Sequence, residues 1–118
     1  MYGIPENVDW SFLLNKELLQ VCIGLHEVCL RFEGDVVIDI ECAFQHFTDG
    51  SGSAAPSGLQ QSASTLTSLL GARITCAVTR AGKSLELTFS NSEVLTIHDS
   101  NECHESFHIR SPQIQIVI

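Results

Sequence analysis

The feature that most constrains this chain is a near-repetition of its apolar positions. Leu13-Leu14, then Val28-x-Leu30-x-Phe32 and Ile38-x-Ile40, return as Leu69-Leu70, then Leu85-x-Leu87-x-Phe89 and Leu95-x-Ile97. The offset is 56 residues at first (Leu13 to Leu69) and 57 later (Leu30 to Leu87), so one residue is added between the segments. Within each segment apolar and polar residues alternate, the period of a strand with one face buried. The pattern predicts a mainly β chain of two repeated antiparallel three-stranded meanders (12–47 and 68–110). These share one core, as a sandwich or a partly open barrel, in a single domain over 1–118. Val28, Leu30, Phe32, Ile38, Ile40, Leu85, Leu87, Phe89, Leu95 and Ile97 are the expected inward residues. Gly34 aligns with Asn91 under this offset, and both residue types tolerate the left-handed backbone that a tight hairpin requires.

The remaining segments fit around the meanders. Residues 1–11 read as a leading arm broken by Pro5 and Asn7, with Trp10 as its anchor on the body. Leu18 to Ile23 and Ile74 to Thr79 are the first strands, and Gly24–Glu27 and Ala81-Gly82-Lys83 are turns. Phe44 and Phe47 extend the first unit with a fourth strand or a bulged continuation. Residues 48–58 (TDGSGSAAPSG) are a flexible loop. At most one short helix is expected near 60–70, with Leu66, Leu69 and Leu70 on one side and Gly71 as its C-cap. In the tail, Ile114, Ile116 and Ile118 alternate with Gln113, Gln115 and Val117. With no charge to protect a free edge, this last strand is expected to lie between neighbours or to pair in a homodimer.

Charge narrows the partners. Fourteen Asp and Glu face six Lys and Arg, a net charge of −8, which argues against nucleic acid and against an anionic membrane surface. Simple solubility is the preferred reading of the charge, which would also suit an encounter with a basic protein. Five cysteines form an odd set without framework spacing. Cys22, Cys29 and Cys76 fall in apolar strand patterns, where a free thiol acts as a small buried hydrophobe. Reduced thiols, together with a start that lacks signal-peptide character, point to the cytoplasm.

The sharpest chemical motif is His104-Glu105-Ser106-Phe107-His108, which matches HExxH. On a helix its histidines could share a zinc ion while Glu105 serves as general base. Pro112 ends any such helix within about one turn, and no His, Cys, Asp or Glu follows His108. On a strand the two histidines would stand about 13 Å apart, too far to chelate one ion. A looser metal grouping takes His98, Cys103, His104 and His108, with Cys42 and His46 from the first unit, but its spacing matches no standard zinc module. Glu33-Gly34-Asp35 and Asp99-Ser100-Asn101-Glu102 read as acidic hairpin tips. With no phosphate-cradling loop or nucleophile elbow, no catalytic residue and no cofactor are assigned.

The Leu-Leu-Asn/Gly openings (13–15 and 69–71), the L-x-F-x-G/N turns and the x-Glu-x-Phe tail at 104–107 resemble a family of small bacterial domains of unknown function. Two such units there end in an acidic residue followed two positions later by an aromatic. The resemblance implies a bacterial cytoplasmic protein in which Glu105 and Phe107 are packing residues.

Three functional readings follow. The preferred one is a non-enzymatic domain that binds another protein, as an accessory or immunity-type partner. The second is a small-molecule or metal-binding β domain. The third is a small zinc hydrolase built on His104-Glu105-x-x-His108.

Overall fold

The computed structural model describes residues 8–25, 27–41, 44–47, 64–80, 84–98, 107–112 and 115–117. The expected loop 48–58, the turn 81–83, the acidic tip 99–102 and most of the leading arm lie outside them. The described chain is mainly β, with two antiparallel sheets packed as a sandwich and no closed barrel. Its helical content is three short 3-10 helices, Trp10–Leu13, Glu33–Asp35 and Ser64–Leu69.

In the first sheet β1 (Leu18–Ile23), β2 (Val28–Phe32) and β3 (Val36–Ile40) form the first meander. In the second, β5 (Ile74–Arg80), β6 (Ser84–Phe89) and β7 (Val94–His98) form the other. The expected fourth strand exists as β4 (Phe44–Phe47), but it does not extend its own meander. It crosses to the opposite sheet and pairs with β7, while β8 (Phe107–Arg110) crosses the other way and pairs with β3. The exchange is reciprocal, because Phe44 pairs with Ile97 and Phe107 with Ile40. Each crossing strand turns a corner of the sandwich and begins with a buried phenylalanine.

β9 (Gln115–Val117) pairs with β8, giving sheet orders β1-β2-β3-β8-β9 and β4-β7-β6-β5. The C-terminal strand therefore pairs within the sheet, but it is an edge among the described residues rather than a flanked strand. Three residues of edge present few open backbone groups, which itself limits edge association.

Backbone bonds between the halves come in matched pairs. Asn15 N–H donates to the Ile74 carbonyl (2.7 Å), and Gly71 N–H to the Leu18 carbonyl (2.9 Å). Ile74 N–H donates to Lys16 (3.2 Å), and Leu18 N–H to Ala72 (3.0 Å). A further matched pair lies within the halves, where Glu33 N–H donates to Glu17 (3.0 Å) and Ser90 N–H to Arg73 (2.7 Å). Every donor and acceptor of one bond lies 56 or 57 positions from its counterpart. A ladder irregularity also recurs, between Leu18 and Gln20 and again between Ile74 and Cys76.

All ten expected inward residues are buried, in one apolar cluster that both sheets line. Trp10 is buried as expected and its Nε1–H donates to Thr79 Oγ1 (2.9 Å) on β5. Asp9 caps the helix that carries it, accepting from Ser11 N–H (3.0 Å).

Three expectations change in detail. The helix near 60–70 is a 3-10 helix, so its side chains follow a threefold period: Leu66 and Leu69 are buried but Leu70 is exposed. Gly71 does end it in the left-handed region, at φ 85°. In the hairpin turns Gly34 has φ 75°, yet Asn91 is not left-handed; the matched left-handed residues are Asp35 (φ 60°) and Ser92 (φ 73°), one position later. Finally, Cys22 and Cys29 are only half-buried and Cys76 is exposed, so these thiols are not core hydrophobes. They alternate with the inward residues of their strands and face outward.

Candidate functional site

Alternation in the first sheet determines what its outer face carries. Cys29 lies between buried Val28 and Leu30, Asp39 between Ile38 and Ile40, and His108 between Phe107 and Ile109. Each points away from the core. The register then sets them side by side: Cys22 opposite Cys29, Cys29 opposite Asp39, and Asp39 opposite His108. Two thiols, a carboxylate and an imidazole thus form one row across four strands.

The members of the row act on one another. Burial, then a hydrogen bond to Asp39 and its negative charge, push the Cys29 thiol up to about 12, against a smaller opposing pull from Arg31. The carboxylate favours the protonated, donating thiol. Asp39 in turn accepts from the Arg110 guanidinium at 2.8 Å. His108 Nε2 is buried without a hydrogen-bond partner among the described residues. A row at about 4.8 Å per strand spreads its end members roughly 14 Å apart, whereas a zinc ion needs ligands that converge. Among the described residues no group of three or more His, Cys, Asp or Glu is arranged to hold a metal ion.

A second polar centre lies at the junction of β4, β7 and the helix Ser64–Leu69. His46 is buried, with Nε2 2.5 Å from Glu93 Oε1 and Nδ1 2.8 Å from Thr65 Oγ1. In the neutral ring Nε2–H donates to the carboxylate and Nδ1 accepts the Thr65 hydroxyl. Glu93 also accepts from Ser68 Oγ (2.6 Å) and Asn91 Nδ2 (2.9 Å), and Asn91 Oδ1 accepts from Glu93 N–H (3.1 Å). Hydroxyl, imidazole and carboxylate are in sequence, but every oxygen of the Glu93 carboxylate is committed to neighbours. The arrangement ties a helix to a sheet.

The residues singled out from sequence are dispersed. His98 sits on β7, its Nε2 3.2 Å from Gln45 Oε1. His108 is on strand β8, so the backbone at that end of the HExxH match is extended rather than helical. Cys42, Cys103, His104 and Glu105 lie outside the described residues. Phe107 is fully buried. The Glu33-Gly34-Asp35 tip is more than solvated surface, because Glu33 accepts from Arg73 (2.5 Å) and from Glu17 N–H (3.1 Å). Sequence reading missed Asp39 and Glu93 as members of polar centres. Their partners are 69 and 47 positions away (Asp39 to His108, His46 to Glu93), and only strand order brings them together.

An open groove of about 330 Å³ lies where the leading helix rests on β5, lined by Val8, Trp10, Leu14, Thr75 and Cys76 among others. Among the described residues no helix is long and apolar enough to cross a membrane.

No curated protein and no solved structure matches the chain. Residues 10–118 match the model of a family described as one of unknown function, DUF6188.

Proposed function

The chain belongs to this family of unknown function, DUF6188, and for it we propose a non-enzymatic, protein-binding role in which the edge of β1 receives an extended segment of a basic partner. One observation carries this reading. β1 pairs only with β2 among the described residues, has no charged residue, and exposes Leu19 (57 %) and Ile23 (46 %), with Leu25 (72 %) just beyond its end. Edge strands usually carry charge, proline or a bulge that discourages added strands. β1 has an irregularity near its start, where Leu18 bonds the Gly71 and Ala72 backbone, and an open run beyond it (Leu19 to Ile23), suited to strand addition with apolar side chains in register.

The net charge of −8 chooses between occupants. A second copy would bring an equal charge, whereas a basic segment is drawn in by the same field. An accessory or immunity-type role in the cytoplasm accords with an acidic domain that carries unbridged thiols.

The test is selection from a displayed random-peptide library, followed by titration of the selected peptides. Peptides with alternating apolar and basic residues should be enriched, should protect the outward Val21 and Ile23 amides from hydrogen exchange, and should lose binding to the Leu19→Lys/Ile23→Lys variant. Binding that survives in that variant places the site elsewhere. If light scattering at micromolar concentration shows a dimer that the variant dissociates, the edge belongs to a second copy and the basic-partner reading fails.

A further inference from the structure

We propose that Cys22 and Cys29 form a reversible dithiol–disulfide site across the β1–β2 ladder, oxidised by a low-molecular-weight disulfide. The proposal goes beyond the protein-binding reading and does not depend on it.

The geometry is that of a cross-strand pair. Cys22 and Cys29 are direct ladder partners, and both are free and half-buried on the outer face. Gly24 N–H donates to the Glu27 carbonyl (2.8 Å) at the hairpin end. Antiparallel pairs alternate, so two residues further along Cys22 and Cys29 occupy a hydrogen-bonded pair, with Cα atoms about 5.5 Å apart. That spacing lies inside the roughly 4.4–6.8 Å that a disulfide bridges.

The fold does not demand thiols here. The matching row of the second sheet is Val78, Glu86, Thr96 and Gln45, each opposite the next. The same architecture therefore forms with an ordinary aliphatic and a carboxylate in place of the two cysteines. Cys76, the exposed thiol of β5, has Thr88 rather than a thiol as its ladder partner.

Position assigns the order of events. Cys22 lies on the edge strand and is approached from the open side, whereas Cys29 has a strand on each side. The Cys22 thiolate attacks one sulfur of the small disulfide; a mixed disulfide forms and one small thiolate leaves, taking a proton from water. Cys29 then loses its proton to solvent and attacks the Cys22 sulfur. The Cys22–Cys29 bond forms, the bond to the small thiol breaks, and the second small thiolate is protonated. Two protein thiols give up two electrons and two protons, and one disulfide becomes two thiols.

Cys29 governs the second step. The groups that face it are Cys22 on β1, Arg31 on its own strand and Asp39 on β3, with Arg110 and His108 of β8 acting through Asp39. Burial and Asp39 keep its thiol protonated at neutral pH, so closure is slow there and accelerates in base. Below the Cys29 pKa the thiolate fraction, and with it the closing rate, rises about tenfold per pH unit.

The experiment uses the full chain, reduced and then exposed to glutathione disulfide under native conditions, with mass mapping of the tryptic peptide that carries both cysteines. At neutral pH a Cys22–glutathione adduct should accumulate first and then convert to an internal disulfide, lighter by two hydrogens and reversed by dithiothreitol. Cys29→Ser should stop at the Cys22 adduct. Asp39→Asn should close severalfold faster at neutral pH, because the carboxylate that favours the protonated thiol is gone. Cys76 is the internal reference for reagent access. The proposal is overturned if Cys76 is fully modified while no Cys22–Cys29 link forms at any pH up to about 10, a range in which thiolate becomes abundant for an ordinary cysteine. It is equally overturned if Cys29 reacts before Cys22, or if Asp39→Asn leaves the closing rate unchanged in a chain shown by circular dichroism to be folded.

Discussion

The rings of Phe32 and Phe89 lie with centroids 6.4 Å apart and planes inclined by 18°, one from β2 and one from β6. They are 57 positions apart in sequence and occupy the end positions of corresponding strands, opposite Leu18 and Ile74. The contact joins the two sheets at the point where the two β-bulge strands and the crossing backbone bonds also meet. Both rings are almost wholly buried. Either Phe→Ala change should therefore cost about 3–5 kcal/mol in urea unfolding. Because each ring contacts the other, the double variant should lose less than the sum, by roughly 0.5–1.5 kcal/mol. Full additivity would show that the stacked pair contributes nothing beyond its burial.

The His46–Glu93 contact makes a different prediction. Glu93→Leu leaves the buried imidazole without its acceptor and should cost about 1–3 kcal/mol. Replacing both residues, His46→Leu with Glu93→Leu, removes the unsatisfied group and should recover part of that loss. The two unfolding midpoints are directly comparable. A double variant less stable than Glu93→Leu alone would show that His46 acts through packing rather than polarity.

Acid should weaken the junction between the halves. The Glu33 carboxyl is held below its usual value, first by the Glu17 N–H it accepts and then by the Arg73 guanidinium. A carboxylate with a depressed folded-state pKa stabilises the fold above its ordinary value of 4.5 and loses that effect as pH falls through the depressed value. Asp9, lowered by its Ser11 contacts, has the same sign. The melting temperature should thus fall as pH is lowered from 5 towards 2, and Glu33→Gln should flatten the lower part of that profile. A variant whose profile overlays the parent's would remove Glu33 from the acid response.

Gly71 tests backbone conformation alone. At φ 85° it has no atom within 4 Å of where a Cβ would lie, so Gly71→Ala meets no clash and reports only the left-handed cost, about 1–2 kcal/mol. Gly34, at φ 75°, adds a contact with Lys16 Nζ at 3.1 Å, but that is the tip of a flexible side chain and can move aside. The two alanine variants should therefore be destabilised by similar amounts. A much larger loss at Gly34 would mean that the lysine is held in place.

Much of this protein is legible along the chain because a strand reports its burial with period two. Val28, Leu30 and Phe32 declare one inward face, Leu85, Leu87 and Phe89 the other, and the structure buries all six. A local pattern specifies local geometry, so meanders joined by short turns follow directly. It does not specify which strands meet across a long connection. The exchange of β4 and β8 between sheets is set by packing Phe44 and Phe107 into the shared core, and no periodicity distinguishes that from two closed four-stranded units. The left-handed residues shift from Asn91 to Ser92 because turn conformation follows the ladder's register as well as residue preference. The outward row follows the same logic. Alternation sets Cys29 and Asp39 out of phase with the inward residues of their strands, even though a free thiol suggests burial, but only the tertiary pairing of β3 with β8 sets the His108 imidazole beside the carboxylate that holds the thiol. Side-chain direction is a property of one strand, whereas neighbourhood is a property of the sheet order, which the packed core decides.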